Sequence, residues 1–477
     1  MKLRLTIDWK RVALRYLPFA DAASAELPLP RLLRLALFQV TVGMVAVLTV
    51  GTLNRVMIVE LGVWTWLVAL MIALPLLVAP LRALIGLRSD LHRSFLGWRR
   101  VPFIWGGTLL QFGGLAIMPF ALVLLTGETA VQLWAGRIAA ALAFLLVGAG
   151  AQTVQTAGLA LATDLAPGAQ RPRVVALMYV MLLVGMVGSG LVFSVLLAEY
   201  SHTRLVQVVQ GAAVVTVLLN VLALWKQEPR DAARAARARE AVDTRFAVHW
   251  ARIAQASAGR APRFLLAVGL GTLAFNMQDV ILEPYGGEIL GLPVGATTLL
   301  TGLMAGGALV ACGIAARALA RGADAHAVAA WGAVIGLAAF AAVIFAAPLQ
   351  APWLFRAGTL LIGLGGGLFA VGTLSAAMGL DQGTGLRGLV LGAWGAVQAT
   401  CAGAAVALGG ALRDASGALA QSGALGEALV GPGTGYGVVY HVELVLLLAT
   451  LVVIGPLVRP ARRGDAAQRF GLAEFPG

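Results

Sequence analysis

Twelve runs of apolar residues, each about 20 residues or longer, recur along the 477-residue chain. A run of this length crosses the ~30 Å hydrocarbon core of a bilayer as one α-helix. Charged side chains make up only 12% of the chain, whereas soluble domains carry about a quarter. The sequence therefore predicts an all-α membrane protein with twelve transmembrane helices. The predicted spans are 35–59, 63–84, 102–126, 131–163, 174–198, 204–225, 264–284, 294–316, 327–347, 353–379, 389–411 and 438–458.

The basic residues predict how these helices are oriented. Of the 35 Lys and Arg residues, 30 lie in connecting segments on one side of the predicted bundle, the side that carries both termini. Positive charge resists translocation, so this side is expected to be cytoplasmic. The net charge of +13 thus follows from topology, and nucleic acid is not expected as a partner. The remaining basic residues are Arg55, Arg137, Arg204, Arg356 and Arg413.

A long polar segment, 226–263, divides the twelve spans into six and six. It is rich in Ala and Arg, so we expect a surface helix that joins two bundles, or a docking site for anionic lipid or a partner. Near the N-terminus, apolar residues at helical spacing from Trp9 to Tyr16 predict a short helix on the membrane surface. The predicted organisation is an N-terminal segment 1–34, bundles 35–225 and 264–458 separated by the linker 226–263, and a tail 459–477.

The two halves share a faint repeat. Gly-Thr-Leu precedes the polar ends of the first and seventh spans, at 51–53 and 271–273, and the two stretches align at an offset of about 220 residues. Two six-helix halves around a basic linker resemble the major facilitator fold. The loop after the second span resembles the signature that forms a cytoplasmic latch in that superfamily, although an ordinary positively charged loop is the alternative. The latch residues are Gly86, Asp90, Arg99 and Arg100.

Polar side chains within the spans predict a central cavity with a charged outer closure. On a continuous helix, Thr272, Asn276, Asp279 and Glu283 fall within an arc of about 60°. Polar groups that face lipid are costly, so such a stripe should face a cavity or a partner, and Asp279 is expected to be the best buried. The alternative places several of these charges at the membrane surface. The cavity candidates are Asn54, Arg55, Glu60, Arg137, Gln152, Asn276, Gln278, Asp279, Glu283, Tyr285 and Arg356.

Three stretches resemble one family in particular. They are GTLNRVMIVELGV at 51–63, MQDVILEPYGGEILGL at 277–292, and TTLLT at 297–301. They are similar to the PucC/LhaA family, the light-harvesting assembly proteins of purple phototrophic bacteria, with the LhaA type favoured. The resemblance implies an assembly factor in the inner, intracytoplasmic photosynthetic membrane. Its expected partners are antenna subunits, the reaction-centre core complex and membrane lipid, and its expected cofactor is bacteriochlorophyll.

The magnesium of such a pigment needs an axial ligand, usually imidazole. None of the five histidines falls in the middle of a predicted span, and His441 starts the twelfth. Oxygen donors are therefore expected, although hydrogen bonding between helices is the alternative role for each of them. The candidates are Asn54, Asn276, Gln278 and Asp279.

Two other functions are open to such a chain. Carboxylates within the seventh span are compatible with an ion-coupled secondary transporter, because buried acids relay protons. A membrane enzyme is not expected, because the sequence contains no metal-ligand cluster, diphosphate-binding Asp motif or pairing of nucleophile and base. A Gly-, Ala- and Ser-rich segment, 412–437, is expected to be the long outer loop.

Overall fold

The computed structural model describes residues 27–77, 100–167, 170–228, 260–379 and 387–458, together with Ala22 and Trp98. Throughout these ranges the regular secondary structure is helical. Eleven helices are long and apolar enough to cross a membrane, and a shorter apolar helix is described for 13 residues, up to Leu77. The all-α membrane architecture predicted from the apolar runs is confirmed.

We number the helices α1 to α12. They are α1 (Leu29–Glu60), α2 (Thr65–Leu77), α3 (Val101–Leu125), α4 (Ala130–Leu165), α5 (Arg171–Leu196), α6 (His202–Leu224), α7 (Ala261–Glu288), α8 (Val294–Ala320), α9 (Ala325–Ala346), α10 (Pro352–Gly379), α11 (Arg387–Gln421) and α12 (Gly433–Ile454). Two short 3₁₀ turns, Glu427–Leu429 and Gly455–Leu457, precede and follow α12.

Helices α1 and α7 are irregular at corresponding positions. Helix α1 widens into π-helical turns over Val47–Leu53 and Val56–Glu60. Helix α7 is interrupted by a 3₁₀ turn, Met277–Val280, and resumes as Leu282–Glu288. Pro284 contributes to this interruption, because it has no N–H to donate to the carbonyl of Val280, four residues earlier. The prediction of a continuous polar stripe on α7 was therefore wrong.

The last two helices extend further than predicted. Helix α11 continues to Gln421 and α12 begins at Gly433, so only residues 422–432 connect them. Ala and Leu favour helix across the first part of the predicted loop. The helix stops where Gly423 and Gly426 adopt positive φ angles of 75° and 92°. As a result, Arg413 lies within a helix and His441 lies two turns inside α12, not at its start.

The two halves pack against each other mainly through two helix pairs, α2 with α11 and α5 with α8. In the second pair the backbones come close together at Gly190 and Gly302. A Cβ atom added at Gly190 would lie 2.8 Å from the Cα of Gly302. Small residues at such crossings allow close packing within a membrane.

The two ends of the bundle differ in their connections. We call one end the closed end; its connections are residues 61–64, 126–129, 197–201, 289–293, 347–351 and 422–432. We call the opposite end, at which α6 ends and α7 begins, the linker end. The residues described there include one member of the predicted latch, Arg100.

At the linker end, Arg100 joins the start of α3 to α4 and to the segment that follows α6. Its Nε donates to Asp164 at 3.1 Å, and its main-chain N–H donates to Glu228. The Glu228 carboxylate also accepts from the N–H of Val101 at 2.9 Å, so it caps the first turn of α3. The other predicted latch residues, Gly86, Asp90 and Arg99, lie outside the described residues, as do the surface helix at 8–17 and linker residues 229–259.

Substitutions on α5 test the packing of the two halves. We expect Gly190→Val to destabilise the fold by about 1–3 kcal/mol, because its side chain would push α5 away from α8. The matched control is Gly188→Val on the same helix, where an added Cβ meets no atom within 4 Å. Thermal unfolding of the two purified variants makes the comparison. Equal unfolding temperatures would contradict the described crossing.

Candidate functional site

The closed end is held together by polar contacts between α1 and the interrupted part of α7. The side-chain amide of Asn54 donates from Nδ2 to the main-chain oxygen of Val280 at 2.9 Å. This is the carbonyl to which Pro284, having no N–H, cannot donate a hydrogen bond. Asn54 is fully buried, and an unpaired carbonyl at this depth would be costly. One half of the molecule thus completes the hydrogen bonding of a helix in the other half.

Helix α8 adds hydroxyl groups to the same contact. The Thr301 hydroxyl donates to Oε1 of Glu283 at 2.6 Å, and both side chains are buried. Gly51 of α1 makes room for this pair, since a Cβ atom there would overlap the Thr301 hydroxyl. One turn away, the hydroxyls of Thr52 and Thr298 lie 3.1 Å apart.

Arg55 carries the positive charge of this contact. It forms an ion pair with Glu60 and donates to the main-chain oxygen of Leu292 at 3.4 Å. Its guanidinium lies over Gly287, where a Cβ atom would come within 2.8 Å of its Nε. With 5% exposure, Arg55 is deeply buried, so the adjacent carboxylate offsets part of its desolvation cost.

A second polar cluster adjoins the first on helices α7, α11 and α12. Arg413 donates to Glu288 at 2.7 Å and to the hydroxyl of Tyr436 at 3.0 Å, with its guanidinium over the Tyr436 ring. The Tyr436 hydroxyl also donates to Glu288 at 2.6 Å. Asp414 connects this cluster to the other half by accepting from the main-chain N–H of Trp66 at 2.8 Å. Arg413 had been predicted to lie in a loop.

The predicted charged outer closure is only partly present. Arg55 and Glu60 form the pair described above. Arg137 instead lies over the rings of Trp64 and Trp134, at 4.5 and 5.0 Å from their centroids. Arg356 is exposed near the start of α10. Side chains as long as arginine reach the membrane surface more cheaply than they remain buried, which explains these two positions.

Three further carboxyl groups, those of Asp279, Glu283 and Glu443, lie within the helices, and two of them are completely buried. Asp279 was expected to be the best buried, but it keeps partial exposure, whereas Glu283 is 1% and Glu443 0% exposed. Within the described part of the chain, the two oxygens of Glu443 and one oxygen of Glu283 accept no regular hydrogen bond, although the main-chain N–H of Gln278 lies close to Glu443. Sequence reasoning missed Glu443, although its single charge within the last apolar run was a usable signal.

The remaining predicted residues contribute local contacts. Gln278 is fully buried and donates to Asp279, while Asn276 donates to the carbonyl of Thr272 at 2.7 Å on its own helix. Tyr285 packs against the rings of Phe355, Tyr436 and Tyr440. Gln152 on α4 lies away from these contacts, with its side-chain oxygen unpartnered. Among the described residues, no group of three or more His, Cys, Asp and Glu side chains is arranged to hold a metal ion.

The arrangement of the helices is similar to that of solved transporters. A bacterial homologue of the iron transporter ferroportin, in its inward-facing state, superposes with a TM-score of 0.64 and 16% identity, covering 89% of this chain and 97% of that one. The nucleoside transporter NupG gives 0.62 at 13% identity, covering 89% and 98%. At this identity the likeness shows the fold alone, which is of the major facilitator type.

Sequence comparison identifies nearer relatives. Protein PucC of Rhodovulum sulfidophilum is 56% identical over 405 residues, 84% of this chain and 88% of that protein. An uncharacterized protein of the puhA-bchM intergenic region of Rhodobacter capsulatus is 53% identical, covering 98% of both chains. The bacteriochlorophyll synthase 44.5 kDa chain of Rhodobacter capsulatus is 29% identical, covering 91% and 96%. The family model described as PUCC protein matches residues 52–462, so this chain, with its polar closure between α1 and α7, belongs to the PucC family.

Proposed function

We propose that this protein is an assembly factor, not an enzyme, for the core light-harvesting and reaction-centre complex of a purple phototrophic bacterium. It binds antenna subunits and bacteriochlorophyll in the inner photosynthetic membrane, with both termini cytoplasmic. One observation carries the proposal: the three sequence stretches typical of the family meet at the closed end. Gly51, Asn54 and Arg55 contact residues of 280–292 and 298–301 there.

This convergence favours a role for the closure itself. Structural packing alone needs apolar and small residues, which other sequences could supply equally well. The closure instead uses buried polar side chains that hydrogen-bond across the two halves, such as Asn54 to the Val280 carbonyl and Thr52 to Thr298, and such directional bonds favour one specific geometry. A factor that presents a fixed surface to incoming subunits benefits from such a geometry.

The four side chains predicted to ligate a pigment differ in how exposed they are. Asn54 and Gln278 are fully buried, so neither can approach a macrocycle while the closed end is intact. Asn276 and Asp279 keep partial exposure. When bound, bacteriochlorophyll would supply a magnesium ion with one open coordination position, and these two residues are the ones of the four that could approach it.

Affinity purification in mild detergent tests the assembly role. We expect the tagged protein to retain core antenna or reaction-centre subunits and bacteriochlorophyll, identified by mass spectrometry and absorption spectra. A twelve-helix membrane protein of unrelated function from the same cells, purified in parallel, is the control. Retention of peripheral antenna subunits alone would contradict the core assignment, and retention of neither subunits nor pigment would contradict the whole proposal.

A second candidate, ion-coupled secondary transport, is favoured by the buried carboxyl of Glu443. A carboxyl group within the spans, with no regular hydrogen bond to its side-chain oxygens among the described residues, is of the kind that relays protons in transporters. The described titratable groups that interact with Glu443 are Asp279 and Tyr440. Tyr440 in turn faces Glu283, Tyr285 and Tyr436, and Arg413 and Glu288 lie beyond Tyr436.

Proton flux into proteoliposomes tests this second candidate. If Glu443 relays the coupled proton, Glu443→Gln should abolish the flux, because an amide cannot take up and release a proton. Glu427→Gln, at an exposed position of the 422–432 connection, should leave the flux unchanged. Undiminished flux in Glu443→Gln would contradict this candidate.

A further inference from the structure

His441 lies within the apolar part of α12 and on its exposed face. The helix and its final 3₁₀ turn span Gly433–Leu457, with a midpoint near Val445. His441 is four residues from this midpoint, which is ~6 Å of helix rise. A hydrocarbon core ~30 Å thick extends about 15 Å to each side of its centre, so a bilayer centred on α12 would enclose this imidazole. The side chain is nevertheless exposed at the protein surface.

One hydrogen bond determines which ring nitrogen carries the proton. Nδ1 of His441 lies 2.7 Å from the main-chain oxygen of Gly437. A carbonyl oxygen can only accept, so Nδ1 is the donor and the neutral ring presents the lone pair of Nε2. Histidines that bind metals typically donate their other ring nitrogen to a carbonyl or carboxylate, which orients the ring and raises its basicity.

The surroundings of the ring are open and apolar. Gly437 precedes His441 by one turn on the same face, and a Cβ atom added there would meet nothing within 4 Å. On the other side along the same face, Val445 is 64% and Leu448 53% exposed. The result is an exposed apolar face of α12 that presents one nitrogen lone pair.

A lipid-facing histidine is costly unless something binds it. Acyl chains offer no hydrogen-bond donor to Nε2, so the lone pair would remain unsatisfied. The described hydrogen bond of the side chain is local to α12 and joins no second helix. Helix packing therefore does not account for a histidine at this position.

We propose that His441 is the axial ligand of a metallated tetrapyrrole that the protein takes up on its lipid-facing surface. This inference rests on the proposed pigment-binding function and names its site. Nε2 supplies the nitrogen ligand, the Gly437 carbonyl fixes the ring, and the absence of a side chain at Gly437 leaves space for the macrocycle. Such a site lies outside the bundle, so a pigment can enter it from the membrane while the closed end stays closed.

Pigment titration of the purified protein in detergent tests this site. The probes are bacteriochlorophyll a and the same macrocycle without its magnesium, measured by absorption and by the resonance Raman bands that report magnesium coordination. We expect the native protein to prefer the metallated pigment, and His441→Leu to lower that affinity by about tenfold or more. The variant should bind the two pigments equally. Its unfolding temperature should not fall, because leucine suits a lipid-facing position.

Two further variants complete the design. Gly437→Leu covers the face beside the imidazole and should also weaken pigment binding, although it leaves the ligand in place. His202→Leu removes an exposed histidine at the start of α6 and should bind like the native protein. A preference for the metallated pigment that persists in His441→Leu would overturn the site.

The outcomes separate this inference from the assembly role. Loss of the metal preference in His441→Leu supports the site. Undiminished pigment binding in that variant overturns the site and leaves the assembly proposal standing. Absence of pigment binding by the native protein, with antenna subunits still retained on purification, overturns the site and the pigment part of the proposal together.

Discussion

The hydrogen bond from Asn54 to the carbonyl of Val280 is the contact on which the closed end depends. Within a bilayer, every main-chain polar group must find a partner inside the protein. Pro284 removes the usual donor for this carbonyl, and the chain supplies another from the opposite half. The same hydrogen bond thus satisfies the interrupted part of α7 and joins the two halves. Around that bond, Arg55 contacts the Leu292 carbonyl, Thr52 contacts Thr298, and Thr301 contacts Glu283.

This arrangement separates two tasks within one fold. Polar and charged side chains determine the relative position of α1 and α7 at one end, while glycine contacts such as Gly190 with Gly302 hold the helix pairs between the halves. Among the described residues, the exposed face of α12 around His441 takes part in neither task. The proposed ligand at His441 could therefore bind without disturbing the closure.

Much of the fold could be predicted, because the length of the apolar runs and the distribution of charged residues can be read directly from the sequence. The contacts of the candidate site could be predicted less well. A straight helix was assumed for α7, although Pro284 already indicated the missing donor. Arg413 and His441 were assigned to a loop and a helix start because the ends of α11 and α12 depend on tertiary packing as well as on composition. The complete burial of Glu443 is visible only when the helices are assembled.

A double-mutant cycle between Asn54 and Pro284 tests the central claim most directly. In the native background, Asn54→Leu leaves the Val280 carbonyl unpaired and should lower the free energy of unfolding by about 1 kcal/mol or more. Pro284→Ala restores a main-chain N–H four residues after Val280. In that background the same leucine substitution should cost much less. An equal loss in both backgrounds, measured by unfolding in mixed micelles, would contradict the account.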